Sequence, residues 1–156
     1  MIKAGILAAV LVTAADQLSK LMILLVVMQP PRVIEITEFF NLVLVWNRGV
    51  SFGMLQSSSI WGPILLGALT VGIIILLLFW LREASTRLCA IALGLVIGGA
   101  LGNLTDRILY QAVVDFLDFH ISGYHWPAFN VADSAITIGV ICIIYESLFE
   151  RNEKSG

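Results

Sequence analysis

The sequence predicts an all-α integral membrane protein of four transmembrane helices, with a small extracytoplasmic β-rich segment between spans one and two. Three observations carry that expectation. Hydrophobic residues fill 59% of the 156 positions and charged residues only 13%, with a mean hydropathy of +0.96. Soluble domains run near about 45–50% apolar and about 25% charged. A chain with so little polar surface cannot coat a soluble globule, so lipid has to be its solvent. The second observation is four apolar stretches of spanning length. The third is a run rich in β-branched and aromatic residues in the first outer connection.

A span needs about 20 residues to cross about 30 Å of hydrocarbon. Residues 5–28 qualify, although Asp16 and Lys20 interrupt them. Residues 60–81 carry no charge and form the cleanest span, and 88–109 and 129–149 complete the set. The outer segments are then about 29–59 and 110–128, and the whole of 1–156 reads as one membrane-embedded domain. Lys3 before an apolar run and Thr13-Ala14-Ala15 imitate a cleaved signal peptide. The apolar character resumes at Leu21 and continues to Met28, which favours a retained first span.

Within the first outer segment, VIEITEFFNLVLVW (33–46) lies between Pro30-Pro31 and Asn47-Arg48-Gly49. That pattern predicts a short strand pair or a curled sheet. Phe39, Phe40, Trp46, Phe52 and Trp61 are expected at headgroup level, as interfacial aromatics are. In the third span, Gly94, Gly98 and Gly102 recur every four residues and so share one helix face, where small residues let a neighbouring helix approach closely.

Charge sets orientation. Lys3, Arg82, Arg87, Arg151 and Lys154 fall on one side if the spans alternate, against Arg32 and Arg48 on the other, with Arg107 near the end of the third span. Basic loops stay cytoplasmic, so both termini are expected inside. The net charge of −2 and the lack of a basic run give no sign of a nucleic-acid partner. Cys89 and Cys142 sit in apolar runs without ligand spacing and read as small buried hydrophobes. His120 and His125 have no third ligand nearby, so no metal site is expected.

Ionisable groups inside a span are costly and raise a functional hypothesis. Asp16 and Lys20 are four apart on one helix face, able to pair or to meet substrate. A second group gathers at the ends of the third and fourth spans: Asn103, Asp106, Arg107, Asp115, Asn130 and Asp133. If those ends are neighbours, Asp115 and Asp133 can meet. Two adjacent carboxylates share a proton, one acting as base on water and the other as acid toward a carbonyl. The plainer alternative is that Asn130 and Asp133 cap a helix start, and that Asp106 and Arg107 form an ion pair.

The runs AADQLSK, WNRGVSFG, GGALGNLTDR, VVDF and PAFNVADSAI, in this order over nearly the whole chain, resemble the signature of the lipoprotein signal peptidase (signal peptidase II) family. The resemblance implies an aspartyl endopeptidase in the bacterial cytoplasmic (inner) membrane, with its site near the outer face. It would cleave diacylglyceryl-modified prolipoproteins just before the lipidated cysteine. The resemblance puts catalysis on Asp115 and Asp133, substrate-backbone contact on Asn103 and Arg107, and site lining on Asn47 and Asn130. Asp16, Lys20 and Asp106 match positions that support the site's shape. No cofactor or metal is implied. The partners are prolipoprotein signal peptides and membrane lipids, and the chain is expected to act as a monomer. One departure stands out: Gln111 occupies a usual glycine position, where a positive φ would strain it.

Two other readings compete. A small proton-coupled transporter could use the same Asp, Lys and Arg groups, but they cluster at one edge, and four spans leave little room for alternating access. A non-catalytic assembly factor could use the glycine face, but would leave Asp115 and Asp133 unexplained.

Overall fold

Among the described residues, four helices are long and apolar enough to cross a membrane, and a four-stranded sheet closes one end of their bundle. The computed structural model describes residues 1–49 and 61–153. Phe52 and positions 50–53 of the WNRGVSFG run lie outside the described residues, as do the side chain of Trp61 and Lys154. In chain order the elements are α1 (Ile2–Met22), continued by a π-helical turn over Ile23–Val27, β1 (Ile34–Thr37) and β2 (Phe40–Asn47). Then come α2 (Trp61–Glu83), α3 (Arg87–Tyr110), β3 (Val113–Ile121), β4 (Tyr124–His125) and α4 (Val131–Glu153).

The helices are apolar on almost every face, as expected where lipid and neighbouring helices are equally apolar. Leu7, Val10, Leu11 and Leu18 on α1 and Leu25 in the π-helical turn are exposed, as are Leu65, Leu69, Leu76 and Phe79 on α2. Size, rather than polarity, separates the inner faces. α3 sits centrally, packed on α1, α2 and α4, around a core of Ala9, Ile74, Leu81, Ala90, Leu93, Ile97 and Ala100. The spacing predicts a close helix approach at the glycine face of α3, and the helix that lies there is α1. A Cβ at Gly98 would stand 2.5 Å from the Ala9 carbonyl oxygen, and one at Gly102 would stand 2.5 Å from Asp16 Oδ2. Thr13 on α1 donates to the Gly98 carbonyl at 3.0 Å and stitches the same seam.

Helix ends follow local chemistry. The Thr86 hydroxyl accepts from the Cys89 N–H and starts α3. Gln111 ends it in the left-handed conformation at φ 56°, its N–H returning to the Arg107 carbonyl. The expected strain at Gln111 is therefore present, and the turn is nonetheless made.

The sheet corrects one expectation. It is not confined to the connection between spans one and two, because β3 and β4 come from the segment between spans three and four. The order is β1-β2-β3-β4, antiparallel throughout. The run VVDFLDFHI is β-branched and aromatic enough to pair. The β1–β2 hairpin alone would leave β2 with an open edge, which β3 satisfies. The register sets Asn47 opposite Val113, Val45 opposite Asp115 and Asn41 opposite Asp118.

Candidate active site

The sheet sits where α1 and α3 end and where α4 begins, and polar residues from α1, β2, α3, β3 and α4 converge there. Asp115 on β3 is 1% exposed. Its Oδ2 accepts from Asn47 Nδ2 on β2 at 2.9 Å, and its Oδ1 accepts from Asn130 Nδ2 at 2.7 Å. Burial pushes the Asp115 carboxyl up to about 6. The nearby charge of Asp133 adds to the rise, while hydrogen bonds from Asn47 and Asn130 and the charge of Lys20 pull the other way.

Asp133 stands in the first turn of α4. Its N–H donates to Asn130 Oδ1 at 2.9 Å, and the Asn130 N–H donates to Asp133 Oδ2 at 3.3 Å. This reciprocal pair is a capping box, so the helix-start reading of these two residues holds. It also aims the Asp133 carboxylate, whose Oδ1 accepts from Asn103 Nδ2 at 2.8 Å. Asn130 thus touches both candidate carboxylates. It is fully buried and also donates to Asn103 Oδ1 at 3.2 Å and to the Val114 carbonyl at 3.3 Å.

Beneath this layer lies a buried ion network. Lys20 Nζ is 2.8 Å from Asp16 Oδ2 and 2.8 Å from Asp106 Oδ2, and it donates to Asn103 Oδ1 at 3.1 Å. The expected Asp16–Lys20 pair exists. Asp106 does not bond Arg107 but reaches Lys20 instead, since positions 106 and 107 point to different helix faces. Arg107 donates to the Asn103 carbonyl at 3.4 Å, and its guanidinium is an electrostatic neighbour of Asp133, Asp106 and Asp115.

The two network carboxylates have matching tasks. Asp16 Oδ1 accepts from the Ala132 N–H at 2.9 Å, and Asp106 Oδ2 accepts from the Val114 N–H at 3.0 Å. Each therefore holds the N–H of the residue immediately before one candidate aspartate. All nine residues singled out from the sequence join this one constellation: Asn47, Asp115, Asn130, Asp133, Asn103, Arg107, Asp16, Lys20 and Asp106.

The sequence reading missed two features. Gln17 donates to Asp106 Oδ1 at 2.9 Å; being neutral, it escaped a search for intramembrane charge. Asp118, opposite Asn41, accepts from Asn41 Nδ2 at 3.0 Å and lies 2.9 Å from His125 Nδ1, tying β2, β3 and β4 together. The strand alternation of VVDFLDFHI was the signal that could have found it.

Comparison with known proteins decides the family. The sequence profile described as "Signal peptidase (SPase) II" matches residues 8–149. This chain belongs to the signal peptidase II family. A protein named lipoprotein signal peptidase from Nitrobacter hamburgensis is 46% identical over 151 residues, covering 94% of this chain and 92% of its own length. Another of that name from Burkholderia multivorans is 48% identical over 141 residues, covering 90% and 84%. A bacterial membrane enzyme solved by the in meso method superposes with a TM-score of 0.83 at 35% identity, over 99% of this chain and 93% of that one. A second such structure gives 0.82 at 36% identity, over 95% and 94%. Family membership makes this a bacterial membrane peptidase, and the transporter and assembly-factor readings give way to it.

Proposed function

We propose that this protein is an aspartyl endopeptidase that removes signal peptides from diacylglyceryl-modified prolipoproteins, cutting before the lipidated cysteine. The observation that carries the reading is Asn130, one residue bonded to the carboxylates of both Asp115 and Asp133. The relatives named lipoprotein signal peptidase supply the substrate class. In this reading the termini are cytoplasmic and the sheet end of the bundle faces outward, where a lipidated cysteine would meet the dyad.

Asp133, at a helix start where the dipole and N–H groups favour an anion, serves as the base. Asp115, which burial biases toward the neutral acid, holds the proton. Water attacks the scissile carbonyl carbon as its proton passes to Asp133, and Asp115 gives its proton to the carbonyl oxygen. The resulting gem-diol collapses with cleavage of the C–N bond. Asp133 then protonates the departing nitrogen while Asp115 recovers a proton from the hydroxyl, so both carboxyls return to their starting states. Arg107 and Asn103 orient the substrate backbone, and Asn47 and Asn130 hold Asp115. All of these groups come from one chain, in keeping with a monomer.

The test is cleavage of a diacylglyceryl-modified lipobox peptide by purified protein in detergent, with a chelator present. Asp115→Asn and Asp133→Asn should each abolish turnover while peptide binding persists. Residual turnover within about tenfold of wild type, equal to about 1.4 kcal/mol of barrier, would sink the obligatory dyad.

A further inference from the structure

Asp106 is 1% exposed, so each of its oxygens needs a partner. Oδ2 serves Lys20 and the Val114 N–H. The donor that reaches Oδ1 is Gln17 Nε2, at 2.9 Å. The same carboxamide nitrogen lies 3.2 Å from Asp16 Oδ2 and 3.2 Å from the Gly102 carbonyl oxygen. One ammonium, Lys20, serves two buried carboxylates, so the Gln17 amide supplies the neutral donor that the lysine cannot.

On its other side Gln17 borders an apolar groove of about 580 Å³ between α1, α2 and α3, lined by Val10, Thr13, Ala14, Leu78 and Leu101 among others. The groove lies in the span region, so lipid rather than water would fill it. Water therefore cannot replace the lost donor. The charged groups facing Gln17 are Asp16 and Lys20 on α1 and Asp106 on α3. α2 contributes Leu78 and Leu81 to that face.

We propose that Gln17 is a positioning residue for the dyad: by holding Asp106 Oδ1 it fixes the plane of the carboxylate that anchors the Val114 peptide, and hence the strand placing Asp115. This rests on the aspartyl reading above. Without the Gln17 donor the Asp106 carboxylate is free to turn about Cβ–Cγ, present its other oxygen to Lys20 and release the Val114 N–H. Asp115 is the next residue. Small displacements of a reacting group cost large factors in rate, on the order of a hundredfold per ångström.

The experiment compares wild type, Gln17→Leu and Gln17→Glu in detergent, measuring kcat and KM on the diacylglyceryl lipobox peptide from pH 5 to pH 8. Gln17→Leu should lower kcat by roughly tenfold or more and leave KM within about twofold, because the dyad and not the peptide site is disturbed. In Gln17→Glu the protonated carboxyl can donate to Asp106 and the ionised one cannot. Its kcat relative to wild type should therefore recover as pH falls, a dependence that Gln17→Leu lacks. Apparent Tm and peptide binding check that each variant is folded, and if Gln17→Leu fails to fold, the Gln17→Glu pH ratio decides. Wild-type-like kcat in Gln17→Leu, or a Gln17→Glu to wild-type ratio flat with pH, overturns the inference. A wild type that never cleaves the peptide overturns the proposed function first and this inference with it.

Discussion

Replacing Asp115 by Asn should end catalysis and, above pH 6, make the protein more stable. The carboxyl is raised from 3.8 to about 6, chiefly by burial. At about 1.36 kcal/mol per pKa unit, this disfavours the ionised folded state by about 3 kcal/mol. Asn47 and Asn130 each donate to a different Asp115 oxygen, and the NH2 of the replacing carboxamide cannot accept, so one of these donors is left unpaired at a cost of about 1–2 kcal/mol. About 1–2 kcal/mol of gain then remains. The sign follows from proton binding. Below pH 3.8 the folded and unfolded chains both hold the proton, and the Asn variant gains nothing. Between 3.8 and about 6 the folded chain keeps a proton that the unfolded one sheds, so wild-type stability falls as pH rises. Above about 6 the cost is fully present. Thermal unfolding in detergent at pH 4 and pH 8 reads this directly. Asp115→Asn should melt no higher than wild type at pH 4 and several degrees higher at pH 8. An unchanged or lower Tm at pH 8 would refute the reasoning, because burial would then not oppose the charge.

Lys20→Met should destabilise the fold by about 3–5 kcal/mol, since Asp16 and Asp106 would face each other buried without a cation; loss of folded protein on detergent extraction is the readout. Gln111→Gly should raise stability by about 0.5–1 kcal/mol, because glycine adopts the φ 56° of the α3 cap without strain; a lower Tm would contradict it. A reporter fused after Gly156 should be active only in the cytoplasm, and one inserted near Ser58 only outside. The opposite pattern would put the proposed site on the wrong face.

Much of this protein was legible from sequence because the bilayer imposes simple rules. Four runs of spanning length read as four helices, since backbone groups in hydrocarbon must bond within their own segment. Gly94, Gly98 and Gly102 showed which face of α3 is closely packed, since small residues permit that approach, but not that the neighbour is α1. Asp16, Lys20, Asp106, Asp115 and Asp133 stood out because charge is rare at such positions. Local spacing also gave the capping relation between Asn130 and Asp133.

Only tertiary structure decided who bonds whom. Asp106 passes over its neighbour Arg107 for Lys20, 86 positions away in the chain, because helix packing brings α1 and α3 together at that depth. The sheet draws on both outer segments, because β2 had an edge to satisfy and β3 supplied the pairing groups. Gln17 and Asp118 carry no signal in a search for intramembrane charge or helix caps, as the role of Gln17 exists only once the Asp106 carboxylate stands opposite, and that of Asp118 only once Asn41 and His125 do. Sequence periodicity records which faces are apolar or close-packed. The matching of donors to acceptors across elements depends on distances that no one-dimensional pattern contains.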